Sequence, residues 1–243
     1  MDADEGRSPT TGDAAHVRVR WWTPGRADWQ VAALFALGST CFVLGATPGY
    51  ASLVGVQADC WTYAIGSVFF TLAALLQVLI SLGVVRAEAR PLAAARWRHH
   101  VRALDRPAWW AGTVQLAGTV LFNVSTFAAL DASLTLDEAQ RRVWAPDALG
   151  SVAFLVASAL AFADVARPWV AWRPRDLTWA VATLNLVGSV AFGVSAVAAK
   201  YVPSGELRDA ALANLGTFVG GVCFLVGAVL LVPDQQEQRA PTG

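Results

Sequence analysis

Few residues of this chain have chemistry that could go beyond packing: three histidines, three cysteines, and a small set of amides and carboxylates. His16, His99 and His100 lie outside the long apolar stretches, which leaves no histidine inside them to ligate haem or zinc. Cys41, Cys60 and Cys223 stand singly, without a CxxC pair or an even complement for a disulfide framework, and read as small buried hydrophobes. No Walker loop, dinucleotide fingerprint or GxSxG elbow occurs. The apolar stretches do contain Gln77, Gln115, Asn123, Asn185 and, close to one end, Asp164. Such amides either bond to a neighbouring helix, for about 0.5–2 kcal/mol each, or line a small polar cavity. Gln115, Asn123 and Asn185 are the candidate lining residues. Asp164 stands three before Arg167, a spacing that pairs them on one helix face. This inventory predicts neither an enzyme nor a cofactor or metal site.

The segments that must position these residues are apolar and long. Of 243 residues 56% are hydrophobic and 15% charged, and the charges are segregated from the apolar runs as in a membrane protein. Six runs, at 30–47, 61–85, 109–130, 147–166, 178–199 and 213–232, each approach the roughly 20 residues that cross a bilayer. The expected fold is all-α: a polytopic bundle of six transmembrane helices. Basic residues set its orientation. Four lie in the N-terminal tail, six after the second run, three after the fourth and one in the C-terminal tail, against four in the three opposite connections. Both termini are therefore expected in the cytoplasm. Asp59, Asp131, Asp137, Glu138, Asp147, Glu206 and Asp209 are assigned to the outer connections, and nine of eleven tryptophans flank the cytoplasmic side. Seventeen arginines against the single Lys200 point to a bacterial source, and hence to the inner membrane.

One phrase recurs in all six runs, as in LVGSVAFGVSAV at 186–197. Its glycines are Gly38, Gly66, Gly118, Gly150, Gly188 and Gly220. Four residues later come Phe42, Phe70, Phe122, Phe154, Phe192 and Phe224, and seven later a small residue, Gly45, Ala73, Ser125, Ala157, Ser195 or Gly227. In lipid, helices associate through close backbone approach and interhelical hydrogen bonds, and small residues seven apart form one stripe for that approach. The phenylalanines are expected to fill the space where backbones diverge, and the Ser or Thr that follows the glycine in every run but the last, which has Gly221, to bond back one turn. Trp29, Trp109 and Trp179 each stand nine before a glycine, in the odd runs only. The repeating unit is thus a helical hairpin, and the chain is three of them. The boundaries are a disordered cytoplasmic tail at 1–27, hairpins at 28–86, 108–167 and 178–233, cytoplasmic loops at 87–107 and 168–177, and a tail at 234–243. A pseudo-threefold bundle, with the phrase as a belt in its outward half, follows.

Hairpins with GS-x-x-F-x-x-small in both helices resemble the YrhK-like domain of bacterial integral membrane proteins. The final hairpin, WAVATLNLVGSVAFGVSAVAAKY then NLGTFVGGVCFLVGAVLL, matches best. The resemblance implies a polytopic helical membrane fold and assigns no activity. In the connections, Trp97, Val101 and Leu104 share one face of the basic 92–104 segment, which reads either as an interfacial helix on anionic lipid or as an unstructured retention loop. Thr135 with Glu138 has capping-box spacing, and Asp137–Arg141 and Glu138–Arg142 fall at i, i+4. The expected partner is membrane lipid and not nucleic acid. The expected function is a structural or interaction role in the membrane, with a small transporter or channel for a neutral or small solute as the alternative.

Overall fold

A computed structural model describes residues 22–85, 107–166, 173 and 175–237. The basic 92–104 segment, Arg167 and most of both tails, with the readings attached to them, lie outside the described residues. Among the described residues the secondary structure is helical, apart from one isolated bridge between Tyr201 and Leu207. The helices are α1 (Ala27–Gly45), α2 (Tyr50–Val54), α3 (Val56–Ser81), α4 (Pro107–Ala128), α5 (Leu136–Ala139), α6 (Ala145–Val165), α7 (Leu177–Ala198) and α8 (Ala210–Glu237), with one π-helical turn at Gln140–Trp144. The six long ones fall on the six apolar runs, generally starting two to five residues earlier, where the first turn takes in polar residues such as Asp28 and Asp59.

Five of these helical stretches are long and apolar enough to cross a membrane: Ala27–Gly45, Val56–Ser81, Leu136–Val165, Leu177–Ala198 and Ala210–Val232. Helix α4 is not among them, because Gln115 and Asn123 interrupt its apolar run. The chain therefore has the architecture of a multi-pass membrane protein. Its surface agrees. Leu37, Leu72, Val120, Val152, Val190 and Val226 are exposed, while the serines and glycines of the repeated phrase are buried, the reverse of a soluble bundle.

The long helices close into a ring, α1–α3–α4–α6–α7–α8 and back to α1. Two kinds of seam alternate around it. Within the pairs α1/α3, α4/α6 and α7/α8 the glycines of the phrase face each other. A Cβ on Gly38 would lie 2.6 Å from the Phe70 ring and 2.9 Å from the Gly66 carbonyl, and one on Gly66 would meet Phe42 at 3.2 Å. The same reciprocal contact joins Gly118 to Phe154 and Gly188 to Phe224. Each glycine thus makes room for the phenylalanine of its partner helix. Cys41 and Cys223 pack on the same seams, beside Gly66 and Gly188, as small apolar residues.

Between pairs, the residue after the glycine carries the contact. Ser67 Oγ donates to the Asn123 side-chain carbonyl at 2.6 Å, Ser158 and Ser189 share a hydrogen bond of 2.7 Å, and Gly221 lies against Val43 and the Ser39 carbonyl. Ser67 and Thr119 also bond back one turn, to Ala64 and Leu116, as their position implies. Ser39 Oγ is buried without a hydrogen-bond partner among the described residues, on the seam with the one copy in which glycine, Gly221, replaces the hydroxyl residue.

The phenylalanines depart from expectation. They do not plug separate gaps; they converge on the centre of the ring. Phe42, Phe122 and Phe192 form one triangle with centroids 5.8–6.4 Å apart, and Phe70, Phe154 and Phe224 a second at 5.7–6.1 Å. The triangles stack through Phe42–Phe70, Phe122–Phe154 and Phe192–Phe224, at 5.1–5.6 Å. These spacings suit mostly edge-to-face aromatic packing. On every long helix the glycine that seats a ring lies in the half nearer the 46–55, 129–144 and 199–209 connections, most clearly Gly150 in the second turn of α6, so the belt is displaced toward that end.

The connection before α6 folds as its letters imply. Thr135 and Glu138 form the reciprocal capping box, with Glu138 Oε2 accepting from Thr135 N at 2.9 Å and from Thr135 Oγ1 at 2.7 Å. The Glu138 carboxylate is committed to Thr135, and among the described residues no ion pair joins Asp137 or Glu138 to Arg141 or Arg142. The π turn explains why, since its extra residue shifts the face on which i, i+4 partners would meet. Thr135→Ala is expected to lower stability by about 1 kcal/mol, read as a small fall in melting temperature of the purified protein.

Candidate functional site

The central aromatic cluster divides the inside of the bundle into two cavities. One lies at the end carrying the 46–55, 129–144 and 199–209 connections and has a volume of about 220 Å³. The other lies toward the opposite end, at about 210 Å³. Each is lined by residues from all six long helices, so both occupy the middle of the ring. Phe42, Phe122 and Phe192 floor the first; Phe224 borders the second.

One position of the repeated phrase supplies much of the polar lining. Three residues before the glycines stand Phe35, Tyr63, Gln115, Asp147, Asn185 and Thr217. Because paired helices run antiparallel, this position on odd helices faces the second cavity, with Phe35, Gln115 and Asn185. On even helices it faces the first, with Tyr63, Asp147 and Thr217. Gln77 and Thr178 add polar groups to the second cavity.

Two of the three candidate amides are brought together, then, and one is not. Gln115 and Asn185 line the second cavity, and Asn185 Oδ1 stands where a Cβ on Gly227 would meet it at 3.1 Å. Asn123 lines neither cavity. It accepts from Ser67 and donates through Nδ2 to Thr71 Oγ1 at 2.7 Å, which spends its polar groups on the α3/α4 seam. Its frame position explains this: Asn123 is next to Phe122, and a step of one residue turns the side chain about 100° from the axis toward the neighbouring helix.

The residue missed from the letters is Asp147. Counted among acids of the outer connections, it in fact lies in the first turn of α6 and lines the first cavity. No hydrogen bond or ion pair joins its carboxylate to another described residue. The signal was present, since Asp147 holds the frame position of Gln115 and Asn185. Reading that position on the odd helices alone hid it.

Local structure fixes the walls around Asp147. The π turn at Gln140–Trp144 leads into α6 and sets Trp144 on the face of Asp147, three residues on. Trp144 Nε1 donates to the Ala196 carbonyl of α7 at 2.9 Å, and the Lys200 ammonium lies 5.2 Å from its ring centroid. Tyr201 is held by the turn that Val202 N to Glu206 O and Arg208 N to Lys200 O close, with Gly205 at φ 84°. Burial, first of all, raises the Tyr201 phenol above its ordinary value, so it presents a neutral hydroxyl. Ser195 Oγ is occupied by Thr217 at 2.8 Å and by the Ala213 carbonyl.

Fold and site together define a multi-pass helical membrane protein with two chambers of mixed polar and apolar lining on either side of an aromatic plug. Comparison of the chain with family models, curated proteins and solved structures gives no match. Among the described residues no group of three or more His, Cys, Asp or Glu is arranged to hold a metal ion.

Proposed function

We propose that this is a non-enzymatic protein of the bacterial inner membrane that admits a small polar solute into its bundle, a small transporter or channel held closed by its phenylalanines. The observation that carries this is the pair of chambers, each lined by all six long helices and parted by the six rings. A bundle serving packing alone gains nothing from turning Gln77, Gln115 and Asn185 toward open space without a hydrogen bond to another described residue, because an unpartnered amide in an apolar medium costs free energy. A purely structural or interaction role is the second reading, favoured by the extent of edge-to-face contact in the plug.

In this reading α4 crosses the membrane as a sixth span, since it lies in the ring between α3 and α6 and is as long as α7. The unit is the hairpin, in three copies at 28–86, 108–167 and 178–233, with both termini cytoplasmic and a kinship to YrhK-like hairpins. Membrane lipid is the surrounding partner, anionic lipid meeting the 92–104 segment. Antiparallel partners explain why one sequence position alternates between the chambers, as threefold repetition of a hairpin requires.

Flux into vesicles tests the proposal. Purified protein in liposomes is expected to speed entry of urea or glycerol several-fold over protein-free vesicles, and the double variant Gln115→Leu, Asn185→Leu to reduce the gain. Equal rates with and without protein for every small solute tried would leave the structural reading in its place.

A further inference from the structure

We propose that the first chamber is a binding site for a small organic ammonium ion, with Asp147 as its counter-charge. This rests on the reading of the chambers as solute-accessible space, and it names the solute class for one of them.

Three features converge on that class. The first is charge: Asp147 is the one acidic side chain lining the chamber, and it is unpaired with any described residue. An isolated carboxylate within an apolar bundle is costly, and a cation beside it offsets that cost. The second is the wall. Tyr63, Trp144 and Tyr201 face the same space, above Phe42, Phe122 and Phe192. Aromatic faces attract cations through their quadrupole and suit alkylammonium groups, which shed water easily. A compact inorganic cation needs a shell of oxygen ligands instead, and two of the hydroxyls here, Ser195 and Thr217, are already bonded to each other. The third is size. About 220 Å³ lies below the roughly 300–1,000 Å³ of drug-sized pockets, which limits the guest to a small molecule.

The chain supplies a precedent at the chamber wall. Its single lysine, Lys200, places its ammonium 5.2 Å from the Trp144 ring centroid, so this indole already carries a cation on one face.

The test is equilibrium binding of tetramethylammonium to the full chain in lipid nanodiscs, with sodium and neutral tert-butanol as competitors. Saturable binding is expected, with neither competitor displacing it at matched concentration. Asp147→Asn, which keeps shape and removes charge, is expected to weaken it about tenfold or more. Should that variant fail to fold, Tyr201→Leu lies in a connection outside the helices and is expected to weaken binding several-fold. Absence of saturable binding, equal affinity in Asp147→Asn, or displacement by sodium or tert-butanol would each overturn the proposal. The vesicle assay separates the two readings. Urea or glycerol flux without tetramethylammonium binding sinks the ammonium site alone, whereas binding without flux of any solute removes the passage and leaves the site.

Discussion

Phe154→Ala should produce a protein that still inserts and folds but leaks. Phe154 is 1% exposed and touches Phe70, Phe122 and Phe224, so its ring belongs to one triangle and contacts the other. Removing it leaves a void that the surrounding rings, each seated on a glycine, have little freedom to fill. In lipid the unfolded helices remain in an apolar solvent, so the loss is chiefly of packing. About 3 kcal/mol is expected, the lower end of the range for phenylalanine truncations in water-soluble cores. The melting temperature in detergent should fall accordingly. The functional consequence is larger: the void lies between the two chambers, and solute entry into vesicles should exceed that of the wild type. A variant that melts early yet stays as tight as wild type would show that the rings serve stability without acting as a barrier.

Gly38→Val should be strongly destructive to the α1/α3 seam. The new Cβ would sit 2.6 Å from the Phe70 ring and 2.9 Å from the Gly66 carbonyl. The ring could turn, but it is wedged among Phe35, Phe42, Phe154 and Phe224, and the carbonyl belongs to a helix backbone that cannot yield locally. Helices α1 and α3 must therefore separate, at a cost of about 3 kcal/mol, the upper end for overpacking. Gly193 offers an internal control. It lies in α7, yet nothing stands within 4 Å of a Cβ placed there. Gly193→Ala should be neutral or stabilising, by up to about 1 kcal/mol, because alanine loses less backbone entropy in a helix. Both variants are compared by melting temperature and by monodispersity on size exclusion. Equal tolerance of the two changes would remove close backbone approach as the basis of this fold.

Much of this was readable in the letters. Apolar length and charge segregation point to membrane-crossing helices, because bilayer thickness and the cost of unpaired backbone groups leave few other options. The glycine at a constant frame position marks the close seams, since a helix surface repeats every seven residues and only glycine admits the carbonyl of a partner. The capping box at Thr135 is equally local: its partners are three residues apart, and no distant contact is needed to form it.

What the letters left undetermined depends on direction around the helix axis, relative to neighbours far away in the chain. Phe42 and Phe192 are 150 residues apart, and no short-range pattern reveals that they share a triangle. Asn123 and Gln115 are both amides in one helix, yet one is consumed by Ser67 and Thr71 while the other opens on a chamber, a difference set by which helices flank α4. Asp147 reads as an acid of an outer connection because it stands at the very edge of the 147–166 apolar run. Ring closure put it opposite Tyr63, Tyr201 and Thr217, turning a surface charge into an interior one. Local rules govern which helices form and which of their residues are small enough to touch; the closure of six helices around one axis governs which polar groups are left facing empty space.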